Sequence, residues 1–312
     1  MTESLPITSS KAAPPSSERQ AFRPMPPDSP IREGIREACA MVRQKTPLAQ
    51  SFTNFVTMNL VANAQLAAGG SAAMSFLPDD IVDIDDISGA SYINVGTLLP
   101  SYRETLEKIA QVFFERQSLW VLDPVAAGLG ATRTAILRSF ANYPPTIVRA
   151  NASETIALCG IWGISLGPDS HGGMNRPAGV ETVDDVDSAM PYAIELARYL
   201  RAHNSTHTAA VAVSGECDLI TDGERSFRLP GGDAMMTKIT GAGCSLGGVT
   251  ASYLAVSDPL IAATAASLHY NRASEKAGAV AKGPGSFQAE FLDALWQTQP
   301  DEICASDIIE SR

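Results

Sequence analysis

The alternation of short apolar runs with longer helical patterns is the feature that most restricts how this chain can fold. Between residues 92 and 149, three apolar runs predict strands (Tyr92–Gly96, Leu119–Pro124 and Thr146–Arg149). They are separated by Ser101–Arg116 and Ala131–Phe140, whose apolar spacing predicts helices. Strands that alternate with helices of this length predict a parallel sheet with helices packed on it. We therefore expect an α/β fold with a mainly parallel central sheet flanked by helices on both faces.

The rest of the chain extends this pattern. An almost wholly apolar run at Ala209–Ser214 predicts a strand in the middle of the sheet, and Asp222-Gly223 predicts a hairpin turn. Residues 1–30 are rich in Pro and Ser and poor in apolar residues, which predicts a disordered arm. No internal repeat and no change of composition follows, so we expect one domain over residues 31–300 and a short C-terminal tail over residues 301–312.

Composition and charge restrict the classes of function. The chain has 312 residues, a net charge of −11 and a pI of about 4.8. Binding of nucleic acid or an anionic membrane needs a basic face, so the charge argues against both functions. The five cysteines are scattered without a C-x-x-C pair, which is typical of reduced thiols in a cytoplasmic protein. No apolar run approaches the roughly 18 residues of a membrane span, and the N-terminal residues lack the apolar core of a signal peptide.

A glycine-rich turn near residue 240 is the strongest local motif. Thr240 is a suitable N-cap, and Gly241 and Gly243 allow close backbone approach before a helix of small residues. The first N–H groups of that helix have no partner within it, so the turn predicts an anion site. Cys244 lies at its mouth, where the helix N-terminus is expected to lower the thiol pKa and make Cys244 a proton acceptor. The alternative is a tight loop before a packing helix.

Polar residues also end four of the predicted strands. They are Asn94, Asp123, Ser214 and the segment Arg149–Glu154. In open α/β sheets, ligands bind outside the carboxyl ends of the strands, where Asp123 could bind a Mg²⁺ water and Arg149 a phosphate. The alternative for each residue is that it caps a helix or satisfies a loop. The clustering of polar ends at one edge favours a binding site.

Competing motifs fail on spacing. The chain has no Gly-Lys pair, which excludes a Walker-type phosphate loop, and Leu246 stands where the dinucleotide fingerprint needs its third glycine. Gly163–Gly167 matches the serine-hydrolase elbow, and His171-Gly172-Gly173 resembles an oxyanion loop. That elbow must follow a strand and enter a helix, whereas Pro168 and the residues after it continue as a loop. A hydrolase is therefore disfavoured.

Eight segments of the chain together resemble the hydroxyethylthiazole kinase family of the ribokinase-like superfamily. In the order of the family they are Ser51–Asn59, Ala73-Met74, Asn94–Thr97, Leu122–Val125, Arg149–Glu154, Ser214–Asp218, Thr240–Cys244 and Lys282–Gln288. The Gly-Ala-Gly-Cys turn distinguishes this family within the superfamily, because most of the superfamily has Asp where Cys244 stands. The likeness covers about residues 31–295.

The resemblance implies a ribokinase-like fold and transfer of the ATP γ-phosphate, with Mg²⁺, to the alcohol of 4-methyl-5-(2-hydroxyethyl)thiazole in thiamine salvage. It also implies a homotrimer with active sites at subunit contacts. The roles that it implies are thiazole binding by Asn54, Met74 and Gly241, ATP binding by Arg149, Asn151, Ser214 and Gly243, Mg²⁺ binding through water by Asp123 and Glu154, and catalysis by Cys244.

Three positions depart from the family pattern. Ser214 replaces a Thr and keeps the hydroxyl, Gln50 replaces a His near the implied thiazole pocket, and Ala126 replaces a Gly in the turn after Asp123. Two alternatives for the function stay open at this point. One is a related kinase that acts on another small heterocyclic alcohol, and the other is a catalytically inactive nucleotide-binding sensor.

Overall fold

A computed structural model describes residues 22–166 and 185–311 of the chain. The strands are β1 (Phe22–Pro24), β2 (Leu48–Phe52), β3 (Ser71–Met74), β4 (Ala90–Asn94), β5 (Trp120–Asp123), β6 (Ile147–Asn151), β7 (Ala210–Ser214), β8 (Cys217–Thr221), β9 (Ser226–Pro230) and β10 (Ile309–Ser311). The α-helices are α1 (Pro30–Lys45), α2 (Met58–Ala67), α3 (Pro78–Asp85), α4 (Tyr102–Arg116), α5 (Ala131–Ser139), α6 (Ala152–Trp162), α7 (Val186–His203), α8 (Ala242–Leu254), α9 (Pro259–Val280), α10 (Pro284–Gln297) and α11 (Pro300–Cys304).

The described strands form one sheet in the order β1-β10-β9-β8-β7-β6-β5-β4-β2-β3. All neighbouring pairs from β3 to β7 are parallel, and the pairs from β7 to β1 are antiparallel. The expected mainly parallel sheet is confirmed. The apolar run at Ala210–Ser214 is indeed an inner strand, and Asp222-Gly223 is the turn between β8 and β9, where Gly223 has a φ of 90°.

Two hydrophobic clusters separate the two faces of the sheet. One contains Ile35, Val61, Val249, Leu268 and Phe291, so α1, α2, α8, α9 and α10 cover that face. The other contains apolar residues of α3 to α7, which cover the opposite face. Because the parallel strands are buried on both sides, their sequences are apolar on both alternations, as the sequence pattern requires.

The sheet extends beyond the expected domain boundaries at residues 31 and 300. β1 pairs with β10, and the Met25 N–H donates to the Ile308 carbonyl at 2.8 Å. Arg32 Nη1 also donates to the Ser306 carbonyl at 2.8 Å. Residues 22–30 are therefore part of the fold, as are residues 301–311, and the boundaries need this correction. Residues 1–21 of the expected arm lie outside the described residues.

The structure also shows which element precedes the serine-hydrolase elbow match at Gly163–Gly167. Gly163 ends helix α6 in the left-handed conformation, so the segment before Ser165 is a helix and not the strand that the hydrolase elbow needs. Residues 167–184, which include His171, lie outside the described residues. Within residues 22–166 and 185–311, every helix is too short or too polar to span a bilayer.

Candidate active site

The polar strand ends meet at one edge of the sheet. Asn94 of β4 is in register with Asp123 of β5, and Asn151 of β6 is in register with Ser214 of β7. Because these strands are parallel, their carboxyl ends lie side by side, as the sequence analysis expects. The side chains of Asn94, Asp123, Arg149 and Ser214 share the face that α8 covers, because each lies two residues after a residue packed on that face.

Helix α8 begins at this edge, with a different cap from the one expected. Its N-cap is Gly241, with a φ of 91°, and not Thr240. The turn needs this left-handed residue, and a Cβ at Gly241 would lie 2.7 Å from the Thr57 methyl group. Since glycine has no side chain, no side-chain cap covers the first N–H groups of α8 in the described part of the chain. These uncapped N–H groups suit an anion.

Arg149 crosses from β6 to this turn. A Cβ at Gly243 would lie 2.6 Å from Arg149 Nη1, so the absence of a side chain there makes room for the guanidinium. Arg149 Nη2 donates to Ser214 Oγ at 2.8 Å, and Nη1 lies 3.6 Å from Asp123 Oδ2. Arg149 Nε is buried and has no hydrogen-bond partner among the described residues. The structure thus brings together Arg149, Ser214, Gly243 and Asp123 from four elements.

Asp123 is fully buried. Its Oδ2 accepts hydrogen bonds from Tyr92 Oη and Asn94 Nδ2, each at 3.0 Å. Its Oδ1 is buried and has no hydrogen-bond partner among the described residues. Burial raises the pKa of Asp123, whereas Arg149, Tyr92 and Asn94 oppose that shift. A buried carboxylate oxygen without a partner is costly, so it indicates a place for a ligand.

Glu154 and Asn151 start helix α6 with a capping box. Asn151 Oδ1 accepts the Glu154 N–H at 2.8 Å, and Glu154 Oε2 accepts the Asn151 N–H at 3.0 Å. Glu154 Oε1 accepts the Ala126 N–H at 2.9 Å. Burial raises the pKa of Glu154 to about 7, and the charge of Asp123 contributes to the rise. The capping alternative is therefore true of both residues, but it leaves lone pairs on each Glu154 oxygen.

The residues at this edge fit a magnesium ion. Mg²⁺ takes oxygen ligands and usually binds through one or two carboxylates, with water and substrate phosphates completing the shell. Asp123 and Glu154 are two buried carboxylates that each raise the energy of the other charge, so a cation between them would relieve the repulsion. Among residues 22–166 and 185–311, no group of three His, Cys, Asp or Glu side chains is placed to hold a metal alone.

A second part of the network reaches Cys244. Asn54 Nδ2 donates to Asn94 Oδ1 at 3.1 Å and contacts Cys244 Sγ at 3.4 Å. Burial raises the pKa of the Cys244 thiol, Asp123 adds to the rise, and Arg149 opposes it. This direction is opposite to the one expected from the helix N-terminus. The reason is that burial and the charge of Asp123 together outweigh the opposing charge of Arg149.

Met74 lies apart from these residues. It ends β3, at the edge of the sheet, and is half-buried against the hydrophobic cluster on the α8 face. Two strands, β4 and β2, separate β3 from β5. Met74 therefore lies three strand spacings, or about 14 Å, from the strand that ends at Asp123. Asn54 lies between them, after β2. The structure therefore separates Asn54 and Met74 from Arg149 and Asp123 along this edge of the sheet.

The structure shows the surroundings of each of the three departures. Gln50 is buried and donates to the Ile81 carbonyl at 3.0 Å and to Ser91 Oγ at 2.8 Å, so it serves the packing of α3 on the sheet. Ala126 has a φ of 59°, in the left-handed region that favours glycine. Ser214 Oγ accepts the Arg149 hydrogen bond that a threonine hydroxyl would also accept.

Two side chains at this edge were not predicted from the sequence. Tyr92 contacts Asp123 from within an apolar strand, and its alternation with Asn94 on one face of β4 was the available signal. Thr57 packs against Gly241, and its buried hydroxyl has no hydrogen-bond partner among the described residues.

Comparisons with known proteins identify the family of the chain. The model of the Hydroxyethylthiazole kinase family matches residues 39–301. The chain belongs to the hydroxyethylthiazole kinase family. It is 61% identical to the hydroxyethylthiazole kinase of Bifidobacterium longum subsp. infantis over 93% of this chain and 94% of that protein. It is 63% identical to that of Bifidobacterium adolescentis over 90% of this chain and 95% of that protein.

Solved structures extend the comparison to three dimensions. The structure of hydroxyethylthiazole kinase protein from Pyrococcus horikoshii OT3 superposes with a TM-score of 0.77 at 30% identity, over 90% of this chain and 100% of that one. A pyridoxal kinase from Staphylococcus aureus matches with a TM-score of 0.51 at 17% identity, over 73% of this chain and 87% of that chain, which shows the shared fold. The expected ribokinase-like fold is confirmed.

Proposed function

We propose that this hydroxyethylthiazole kinase family member transfers the γ-phosphate of ATP to the hydroxyl of 4-methyl-5-(2-hydroxyethyl)thiazole, in thiamine salvage. The observation that carries the proposal is the uncapped N-terminus of α8 next to the Arg149 guanidinium and the free Oδ1 of Asp123. Phosphoryl transfer requires positioning and charge neutralisation more than covalent help. Positive N–H groups, a guanidinium and a cation-binding carboxylate at one point supply both.

The residues divide between the two substrates. On the phosphate side, Arg149 and the N–H groups at Gly243 would bind ATP oxygens, with Ser214 fixing the guanidinium and Asn151 fixing the start of α6. Asp123 and Glu154 would hold Mg²⁺ through water, and the ion would neutralise phosphate charge when bound. On the acceptor side, the thiazole would be bound by Asn54, Met74 and Gly241.

Cys244 lies between the two sides and is proposed to accept the substrate proton. Asn54 holds the sulfur at 3.4 Å from its amide nitrogen, on the first turn of α8. Because the thiol pKa is raised, most of the thiol is protonated near neutral pH, and only the thiolate fraction can act as a base. A loose transition state needs little base help, so this contribution to the rate is modest.

We also propose a cytoplasmic homotrimer whose subunit contacts lie beside the acceptor side of the site. Four apolar side chains are exposed near the carboxyl ends of β2 to β4: Phe55, Val56, Leu77 and Leu99. Val56 is 70% exposed and lies two residues after Asn54 in the chain. An apolar surface of this kind is typical of a subunit contact. In support of a cytoplasmic location, each of the five cysteines is a free thiol.

The assembly is tested by light scattering on Val56→Glu. We expect the trimer to dissociate and the KM for the thiazole alcohol to rise. Ile87→Glu is the matched control, because Ile87 is equally exposed but precedes β4, at the opposite edge of the sheet. A wild-type protein that is an active monomer would end the trimer proposal.

The reaction is tested by ATP consumption with and without the thiazole alcohol, followed by a panel of related heterocyclic alcohols. ADP release that depends on the thiazole alcohol is expected, and Asp123→Asn should reduce it strongly while the thiazole alcohol still binds. Faster turnover of another alcohol would favour a related kinase. Tight binding of ATP and the thiazole alcohol without turnover would indicate a nucleotide-binding sensor.

A further inference from the structure

Tyr92 is a buried residue of β4 to which the proposed function assigns no role. It is fully buried on the α8 face of the sheet, and its ring lies under Gly247 of α8. A Cβ at Gly247 would overlap the ring and lie 2.8 Å from Tyr92 Oη. The glycine therefore allows helix α8 to pack directly on an aromatic ring. In an apolar interior, the Tyr92 hydroxyl needs a hydrogen-bond partner, and it finds one in the site.

With Asp123 ionised, the hydrogen atoms in this region have one consistent arrangement. The Gly96 N–H donates to Asn94 Oδ1 at 2.9 Å, so this atom of the amide is the oxygen. Asn94 Nδ2 then donates one hydrogen to Asp123 Oδ2 at 3.0 Å and the other to Tyr92 Oη at 2.9 Å. Because Tyr92 Oη already accepts from Asn94, its own hydrogen points to Asp123 Oδ2 at 3.0 Å.

The same reasoning continues to Cys244. The N–H groups of Val56 and Thr57 donate to Asn54 Oδ1 at 3.2 and 3.1 Å, which fixes the orientation of that amide. Asn54 Nδ2 must therefore face Asn94 Oδ1 and Cys244 Sγ. A continuous chain of oriented hydrogen bonds thus joins the acceptor side of the site to the phosphate side.

We propose that Tyr92 is a positioning residue of the kinase: together with Asn94 it holds Asp123 Oδ2 and leaves Oδ1 as the oxygen that serves the cation and its water. The Arg149 guanidinium also lies on the Oδ2 side, at 3.6 Å, whereas Oδ1 has no partner among the described residues. This inference rests on the magnesium part of the proposed function. Tyr92 acts through Asp123 and does not touch substrate.

The first test is Tyr92→Phe, which removes the hydroxyl and keeps the ring under Gly247. Loss of a residue that hydrogen-bonds a metal ligand typically changes metal affinity by 10–100-fold. We expect Mn²⁺ affinity in the presence of ADP, measured by the electron paramagnetic resonance of free Mn²⁺, to fall by at least about 10-fold. The half-saturating Mg²⁺ concentration for turnover should rise in parallel, while the KM for the thiazole alcohol stays unchanged.

The matched control is Tyr253→Phe. Tyr253 is also fully buried in the cluster on the α8 face, but its hydroxyl bonds His269 Nδ1 at 2.9 Å, outside the site. This variant should leave Mn²⁺ affinity at the wild-type value. Wild-type Mn²⁺ affinity in Tyr92→Phe, or an equal loss in both variants, would overturn the proposal.

A second pair of variants separates packing from hydrogen bonding. Gly247→Ala should lower the melting temperature because its methyl group overlaps the Tyr92 ring. Adding Tyr92→Val should restore much of the melting temperature but not the Mn²⁺ affinity. Recovery of the Mn²⁺ affinity as well would show that only packing matters, and would overturn the proposal.

Failure of the proposed function would be seen separately. A wild-type protein that binds Mn²⁺ with ADP but transfers no phosphate to the thiazole alcohol would contradict that function, and the comparison of Tyr92→Phe with Tyr253→Phe would still decide the role of Tyr92. A wild-type protein that binds no Mn²⁺ with ADP would overturn the positioning role itself.

Discussion

Gly243→Ala is predicted to damage ATP use through Arg149 more than through stability. A methyl group at residue 243 would lie 2.6 Å from Arg149 Nη1 and 2.9 Å from Nη2. Ordinary carbon–nitrogen contacts are roughly 3.5 Å, so the guanidinium must move by almost 1 Å. Arg149 is buried, and its hydrogen bond to Ser214 and its charge pairing with Asp123 resist that movement.

The magnitude follows from two opposing terms. Overpacking costs about 1–3 kcal/mol, and replacing a helical glycine by alanine gains about 1 kcal/mol, so the net loss of unfolding free energy is about 0–2 kcal/mol. A misplaced hydrogen bond from a charged group costs about 1.5–3 kcal/mol, which corresponds to roughly a 10–150-fold fall in kcat/KM for ATP. The effect on ATP should therefore exceed the effect on stability.

The assay is steady-state kinetics with ATP varied, together with thermal unfolding. Gly160→Ala is the control, because Gly160 is a helical glycine of α6 whose added Cβ meets nothing within 4 Å. It should stabilise the protein by about 1 kcal/mol and leave kcat/KM unchanged. In an Arg149→Ala background, Gly243→Ala should cost little more. Fully additive losses in the double variant would refute the argument, since they would show that the methyl group does not act through Arg149.

Three further predictions concern single residues. Cys244→Ala should lower kcat on the order of 10²-fold with substrate affinity kept, and an Ala variant with wild-type turnover from about pH 6 to about pH 9 would exclude a base role. Burial lowers the pKa of His269 to about 4, because the charged imidazolium is disfavoured in the interior. As pH falls from 6.5 towards 4, the unfolded state binds the proton first, so the unfolding free energy decreases. At about 1.4 kcal/mol per pKa unit, roughly 3 kcal/mol is lost over this range. Denaturation in urea at several pH values should show a flatter profile for His269→Gln than for the exposed control His203→Gln. Ala126→Gly should change the unfolding free energy by between about 0 and +1 kcal/mol, because relief of left-handed strain opposes the greater entropy of unfolded glycine. Ala127 lacks that strain, so Ala127→Gly should lower the unfolding free energy. Calorimetry compares the two variants, and equal losses in both would contradict the strain at Ala126.

The sequence by itself determined the elements and the position of the site. Apolar runs of strand length that alternate with helical patterns leave few folds besides a parallel sheet, and parallel order places all strand carboxyl ends at one edge. Asn94, Asp123 and Ser214 end their strands, so they had to lie there. Local chemistry also sufficed for the capping box of Asn151 and Glu154, because capping depends on neighbours within one turn.

Contacts between distant segments were decided only by the tertiary structure. The pairing of β1 with β10 joins segments of three residues each, which are too short for a periodic pattern and nearly 290 residues apart. The choice of Gly241 over Thr240 as the cap depends on a left-handed turn against Thr57. Both follow from space left by other segments, which local residue preferences do not encode.

Electrostatics were decided in the same way. A helix N-terminus alone predicts a lowered thiol pKa for Cys244, but partial burial of the thiol and the charge of Asp123 raise that pKa instead. Tyr92 likewise has the sequence context of a core residue. Its contact with Asp123 exists because β4 and β5 are in register and because Gly247 leaves room for the ring, and both conditions arise only when the sheet and α8 have assembled.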